Sequence, residues 1–274
     1  MTRRPEQYRP LCAARCSRWR RRGFVSMRRN DVGKLAFYTK SINENGKRTQ
    51  WNAALMQLSK MRQRHLEPDV ISFNSAISAC ERGGHLHLAL GVLSHMRQKH
   101  LEPDVVSYNA FSSVCENGGW WQASLGTLSH MYKRRLEPDI VSYNSAMSSC
   151  SRGERWQHCL TKLAEMRQRQ LEPDLVSYNS AISACERGRR WQRSFSELFV
   201  MRRRSLEPDA VSYSAIIRAC EKGAQQQEAI GILKQMRLQH IEPDVILYNA
   251  AISACEKAGR WRDALGVLSQ MRGQ

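Results

Sequence analysis

The chain has 274 residues, 43 Lys and Arg against 25 Asp and Glu, and a formal net charge of +18. No run approaches the roughly 18 consecutive apolar residues of a membrane-spanning helix, and the N-terminus lacks the ~7–15-residue apolar core of a secretory signal. Such a balance suits a polyanionic partner, nucleic acid before an anionic membrane surface, and equally fits a merely soluble basic protein.

Residues 1–34 hold ten Arg and one Lys against Glu6 and Asp31. A basic, acid-poor leader fits an organelle transit peptide, which places the protein in the mitochondrion or plastid. A nuclear localisation signal, an extra nucleic-acid arm and a disordered tail without an address compete with it, leaving nucleus or cytoplasm as alternatives.

From residue 35 the chain repeats. Leu66-Glu67-Pro68-Asp69 returns as the same four residues at 101, 136, 171 and 206, and Ile241-Glu242-Pro243-Asp244 closes the series. The units are 35–69, 70–104, 105–139, 140–174, 175–209, 210–244 and an incomplete 245–274. A fixed period without insertions marks a stacked repeat architecture. The first unit is the most degenerate: it keeps Tyr38, Ile42, Trp51, Leu55 and Met61 but has Asn45 where the others have Cys.

Each unit reads as two helices. In 175–209, Tyr178, Ile182 and Cys185 fall on one face of a first helix, which Asp174 or Ser177 can cap. Gly188 is expected to end that helix in the left-handed conformation. Trp191, Phe195, Leu198 and Met201 give a second helix, from about Trp191 to Arg203, its apolar stripe; Pro208 prevents it from continuing. Short loops force antiparallel pairs, and neither helix buries its stripe without the next unit. The expected fold is therefore an all-α solenoid of tandem helical hairpins.

Of nine cysteines, Cys80, Cys115, Cys150, Cys185, Cys220 and Cys255 share one repeat position, and no Cys-x-x-Cys pair occurs. That spacing argues against zinc. Equivalent positions on helices stacked about 10 Å apart also lie beyond disulfide reach. These residues are expected to be small buried hydrophobes in a reducing compartment, and no cofactor is expected.

A 35-residue hairpin that begins Val176-Ser177-Tyr178-Asn179 and ends Pro208-Asp209 resembles the pentatricopeptide repeat family, over residues 35–274. The 34-residue tetratricopeptide repeat differs in period, and its Trp-x-x-Leu-Gly-x-x-Tyr start is absent. The resemblance implies a right-handed α-solenoid that binds single-stranded RNA in its groove, about one base per repeat. It further implies three reading positions in each unit. An aliphatic residue packs on the base plane: Ala36, Ile71, Val106, Val141, Val176, Val211 and Ile246. The residue after the Tyr reads the base edge: Thr39, Asn74, Asn109, Asn144, Asn179, Ser214 and Asn249. The Asp closing the unit fixes that reader: Asp69, Asp104, Asp139, Asp174, Asp209 and Asp244. Without the family, the same residues fit helix packing, first-turn chemistry and capping.

The family's pairing rule takes Asn with Asp as uracil, then cytosine, and Ser or Thr with Asp as guanine. Pairing each reader with the Asp that ends its own unit implies 5′-G-U-U-U-U-G-pyrimidine-3′, a U/C-rich target of low information content. The family also places phosphate contacts at Arg82, Arg152, Arg187, Lys222 and Lys257, with Asn117 departing from the pattern. A second series follows each Met: Arg62, Arg97, Arg167, Arg202, Arg237 and Arg272. It reads as solvated convex-face cations that offset the helix dipole.

Some family members carry a deaminase or nuclease domain. Here His65-Leu66-Glu67, His100-Leu101-Glu102 and His240-Ile241-Glu242 match half of a deaminase signature, but no Pro-Cys-x-x-Cys follows. The expectation is a monomeric, non-catalytic binder without membrane contact, which occupies RNA or recruits a processing or editing enzyme. The alternative is a protein-interaction scaffold whose groove holds a peptide helix.

Overall fold

A computed structural model describes residues 29–272 apart from Thr49. The transit-peptide reading of the leader lies outside the described residues, although the first helix starts at Arg29, inside the stretch assigned to the leader. Fourteen helices among the described residues follow one another as hairpins. They are α1 (Arg29–Lys47) and α2 (Trp51–Gln63), α3 (Val70–Ala79) and α4 (Leu86–Gln98), α5 (Val105–Gly118) and α6 (Trp121–Lys133), α7 (Ile140–Arg152) and α8 (Trp156–Gln168). The series continues with α9 (Leu175–Arg187) and α10 (Trp191–Arg203), α11 (Ala210–Lys222) and α12 (Gln226–Leu238), α13 (Val245–Lys257) and α14 (Trp261–Arg272).

The closing Asp of each unit starts the next helix. Asp69, Asp104, Asp139, Asp174, Asp209 and Asp244 each accept the backbone N–H three residues on, at 2.8–2.9 Å. For Asp104, Asp139, Asp174 and Asp209 the serine at that third position bonds back to the cap's N–H, so both capping candidates act together.

The turn inside the hairpin departs from expectation. Gly188 has φ −74°, and the left-handed residue is its successor, Arg189, at φ 54°. Glycine is needed at 188 for a different reason. A Cβ there would sit 2.4 Å from Cδ1 of Trp156, the residue that opens the preceding second helix. Gly153 and Gly223 stand in the same relation to Trp121 and Trp191, at 2.5 and 2.6 Å. The indole lies close against the backbone of the neighbouring hairpin and leaves no room there for a side chain.

The odd-numbered helices pack on one another in order, while each even helix packs on its own odd helix and on the next. No two even helices share more than marginal contact among the described residues. Closely spaced odd helices and splayed even ones make a curved stack with the odd layer on the inside. The stack is an all-α repeat solenoid.

Its core is periodic. Tyr143, Tyr178, Tyr213 and Tyr248 are among the largest fully buried side chains, and Met96, Met131, Met166, Met201 and Met236 are fully buried too. The cysteines from Cys80 to Cys255 are buried and free, Cys159 included. Burial pushes the Cys80 thiol up to about 11 and those of Cys115, Cys185 and Cys220 up to about 12. Such thiols stay protonated and serve as small hydrophobes.

The Arg series after each Met is not simply solvated. Nη2 of Arg97 and Arg167 donates to the hydroxyls of Tyr108 and Tyr178 at 3.0 and 3.1 Å, and Arg202 bonds Tyr213 at 2.7 Å. Arg237 bonds Tyr248 in the same way. A buried phenol needs a partner for its hydroxyl, and the last turn of the preceding hairpin supplies one, tying unit to unit. Where Tyr132 replaces the Arg, its hydroxyl meets that of Tyr143 at 2.6 Å, and Tyr143 donates to Glu165 at 2.8 Å. At the position of these tyrosines the second unit has Phe73, which offers Arg62 no hydroxyl.

Candidate nucleic-acid interface

The aliphatic row is exposed. Ile71, Val106, Val141, Val176, Val211 and Ile246 are 52–65% exposed, all on odd helices, and Ala36 is exposed as well. Burying such a side chain is worth roughly 1.5–3 kcal/mol. Leaving one uncovered in every unit therefore has no explanation in folding, and helix packing is the wrong account of these positions. Val176 and Val211 line one depression of about 450 Å³ on the inner layer, together with Asn179, Ser183, Arg152 and Arg187.

Beside each aliphatic residue the Asn reader meets the Asp that ends its own unit. Asn144 Nδ2 donates to Asp174 Oδ1 at 3.1 Å and to Oδ2 at 3.3 Å. Asn109 pairs with Asp139, and Asn179 with Asp209, at 3.2 Å to Oδ1; Asn74 pairs more loosely with Asp104 at 3.4 Å. Burial pushes the Asp174 carboxyl up, but bonds from the Ser177 backbone N–H and from Asn144 outweigh it, holding the pKa below the usual carboxylate value. An ionised carboxylate only accepts, so it turns the amide nitrogen toward itself.

A serine completes the arrangement. Oγ of Ser107, Ser142, Ser177 and Ser212 donates to the Oδ1 of Asn74, Asn109, Asn144 and Asn179, at 2.6, 2.6, 2.6 and 2.5 Å. The amide is clamped at both ends, leaving one N–H and one oxygen lone pair free. Sequence reasoning identified these serines only as alternative caps. Their bond to the reader 33 residues earlier gives no periodic signal.

The first and sixth units differ. Thr39 Oγ1 donates to the Leu35 carbonyl at 2.9 Å and lies 2.8 Å from Ser72 Oγ, reaching Asp69 only through that serine. Ser214 Oγ donates to the Ala210 carbonyl at 2.5 Å. Its partner helix carries buried Leu247 where the others have Ser, so nothing bridges Ser214 to Asp244. Asn249 is exposed.

The cations assigned to phosphate are mostly engaged. Lys222 Nζ lies 2.6 Å from Glu186, Lys257 3.0 Å from Glu221 and Arg152 4.0 Å from Glu116, each carboxylate belonging to the preceding unit. Burial pushes the Glu116 carboxyl up, and Arg152 offsets part of that. Arg82 donates to the Lys47 carbonyl at 2.8 Å, since Gly46 stands where the carboxylate would be. Arg187 faces Ser151 at that position and has no ion-pair partner among the described residues.

An inner helix layer carrying one exposed aliphatic residue and, in most hairpins, one amide–carboxylate pair defines a modular groove-binding repeat protein. The chain belongs to the pentatricopeptide repeat family: models described as a pentatricopeptide repeat domain and a PPR repeat family match residues 56–118 and 198–272, and residues 138–187. The crystal structure of the pentatricopeptide repeat protein PPR10 from maize has a TM-score of 0.78 and 24% identity, covering 95% of this chain and 36% of that one. PPR10 in complex with an 18-nt psaJ RNA element has the same score and identity, over 95% and 37%. The PPR domain of Arabidopsis thaliana protein-only RNase P 1 in complex with tRNA has a TM-score of 0.57 and 12% identity, over 66% and 95%. These likenesses establish a shared fold, and the chain spans only about a third of PPR10. No curated protein matches the sequence.

Proposed function

We propose that the groove holds single-stranded RNA, about one base per hairpin, with no catalysis by this chain. The observation that carries this reading is the exposed aliphatic row, repeated every 35 residues beside a polar pair. A base can lie flat between successive aliphatic side chains while its edge meets the free N–H and lone pair of the clamped amide. That pattern fits the N3–H and a carbonyl of uracil at once. The fold shared with PPR10 and with the PPR domain of protein-only RNase P 1, both of which have structures in complex with RNA, supports it.

Four Asn–Asp pairs in succession, Asn74 to Asp209, set a U/C-rich centre within 5′-G-U-U-U-U-G-pyrimidine-3′. Near-identical units tolerate many pyrimidine-rich sequences instead of singling out one transcript. The protein acts as a monomer in an organelle, by occupying RNA or recruiting a processing enzyme. Gel shifts test the binding step. A U-rich oligomer of about ten nucleotides should bind more tightly than an A-rich one, with affinity falling steeply as salt rises. Equal or absent binding of the two contradicts the reading.

A further inference from the structure

We propose that the serine at the third position of each following helix, Ser107, Ser142, Ser177 and Ser212, is a specificity-determining positioning residue for the reader behind it. The inference rests on the RNA reading above and adds a fourth member to each site. The serine does not face the base. It acts through the amide.

The physical case is a count of protons and lone pairs. An Asn amide held only by its Nδ2–H to a carboxylate can still swing about that bond. A second bond at Oδ1, 2.5–2.6 Å long in four units, removes that freedom. Ser177 has one hydroxyl proton and two acceptors, Asn144 Oδ1 at 2.6 Å and Asp174 Oδ1 at 2.9 Å. The shorter contact takes it, while Asp174 Oδ1 is satisfied by the Ser177 backbone N–H at 2.9 Å. Amide nitrogen and oxygen are thus fixed in one order, and a base that needs the reverse order meets donor against donor.

The chain contains its own comparison. Leu247 replaces the serine behind Ser214, and there the reader's hydroxyl turns to its own helix at Ala210. In the first unit, where the serine is present, Thr39 also bonds its own helix at Leu35 but keeps a second contact, 2.8 Å from Ser72 Oγ, which Ser214 lacks. Capping does not account for the difference, because Asp244 still caps its helix through the Leu247 N–H at 2.8 Å. The serine is dispensable for the cap and absent where the reader is disengaged. The sixth position of the RNA should therefore be read weakly.

Selection from randomised oligomers, read position by position, tests this with three variants. Ser177→Ala should lower discrimination at the single position read by Asn144 by about threefold to tenfold, the range a lost hydrogen bond allows. Ser177→Thr, which keeps the hydroxyl, should restore it. Leu247→Ser should sharpen the sixth position without affecting the others, and it removes no polar contact from the fold. A merely structural serine would weaken binding uniformly; unchanged preference at both positions, with thermal melts showing folded variants, overturns the proposal. A wild-type chain with sharp preferences at no position overturns the one-base reading itself, and a wild-type chain that binds no oligomer overturns the RNA reading. Either removes this inference as well.

Discussion

Lys222 Nζ lies 2.6 Å from Oε1 of Glu186, a carboxylate only 7% exposed and contributed by the preceding hairpin. The equivalent of Glu186 one unit earlier is Ser151, so Arg187 projects into the groove without such a partner. If the groove holds RNA as proposed, Arg187 is, among the described residues, the cation of this series free to meet a phosphate. Arg187→Ala should flatten the salt dependence of RNA affinity by about one unit of slope. Lys222→Ala should instead destabilise the fold by roughly 1–2 kcal/mol, discounted because the lysine is more than a third exposed. Salt titrations and urea melts of both variants separate the two. An equal loss of salt slope in each would sink the distinction.

The arginine–tyrosine ties between hairpins predict opposite effects at two related positions. Tyr178→Phe leaves Arg167 without its hydroxyl acceptor and should cost about 1 kcal/mol. Phe73→Tyr restores the hydroxyl at the register position where other units tie Tyr to Arg, near His95, whose ring lies 5.5 Å from that of Phe73. It should stabilise by about the same amount. Urea unfolding measures both; a destabilising Phe73→Tyr would show that the pocket cannot admit the oxygen.

Gly188 and Arg189 are neighbours with opposite requirements. Gly188→Ala drives a methyl into Trp156 and should cost about 1–3 kcal/mol, an overpacking penalty. Most of that cost should vanish when Trp156→Ala is already present. Arg189→Gly relieves a left-handed φ and should stabilise by about 0.5–1 kcal/mol. Thermal melts of the double-mutant cycle check both, and additive losses at 156 and 188 would rule out the indole contact.

Helix boundaries, the capping Asp and the buried cysteines were legible because each depends on neighbours within a turn or two. The period then carried them through the chain. What was not legible joins residues across a unit boundary. Arg167 and Tyr178 are 11 residues apart, Lys222 and Glu186 36 apart, Ser177 and Asn144 33 apart. No helical or strand periodicity links such pairs. The glycine was found for the wrong reason: its proximity to a helix end suggested a turn, whereas the requirement comes from a tryptophan on the neighbouring hairpin. The exposed valines looked apolar enough for the core, and only the family resemblance pointed outward.

Asp174 gives the site an acid limit. Its folded-state pKa is lowered below the unfolded value of 3.8, so the stabilisation is fully present above that value and is lost as pH falls through the folded one. The stability difference between wild type and Asp174→Ala should be constant from about pH 7 to about pH 5 and shrink below about pH 4. Urea melts across that range measure it. A difference that persists unchanged to about pH 3 would mean the carboxylate is not stabilised in the folded state.

The central claim, that each Asn–Asp pair reads one base, is tested most directly by a paired substitution in one unit. Randomised-oligomer selection is run on the wild-type chain and on Asn144→Thr with Asp174→Asn. The account predicts that one position, and no other, shifts from uracil toward adenine. Identical base preferences for the two proteins at every position would contradict it.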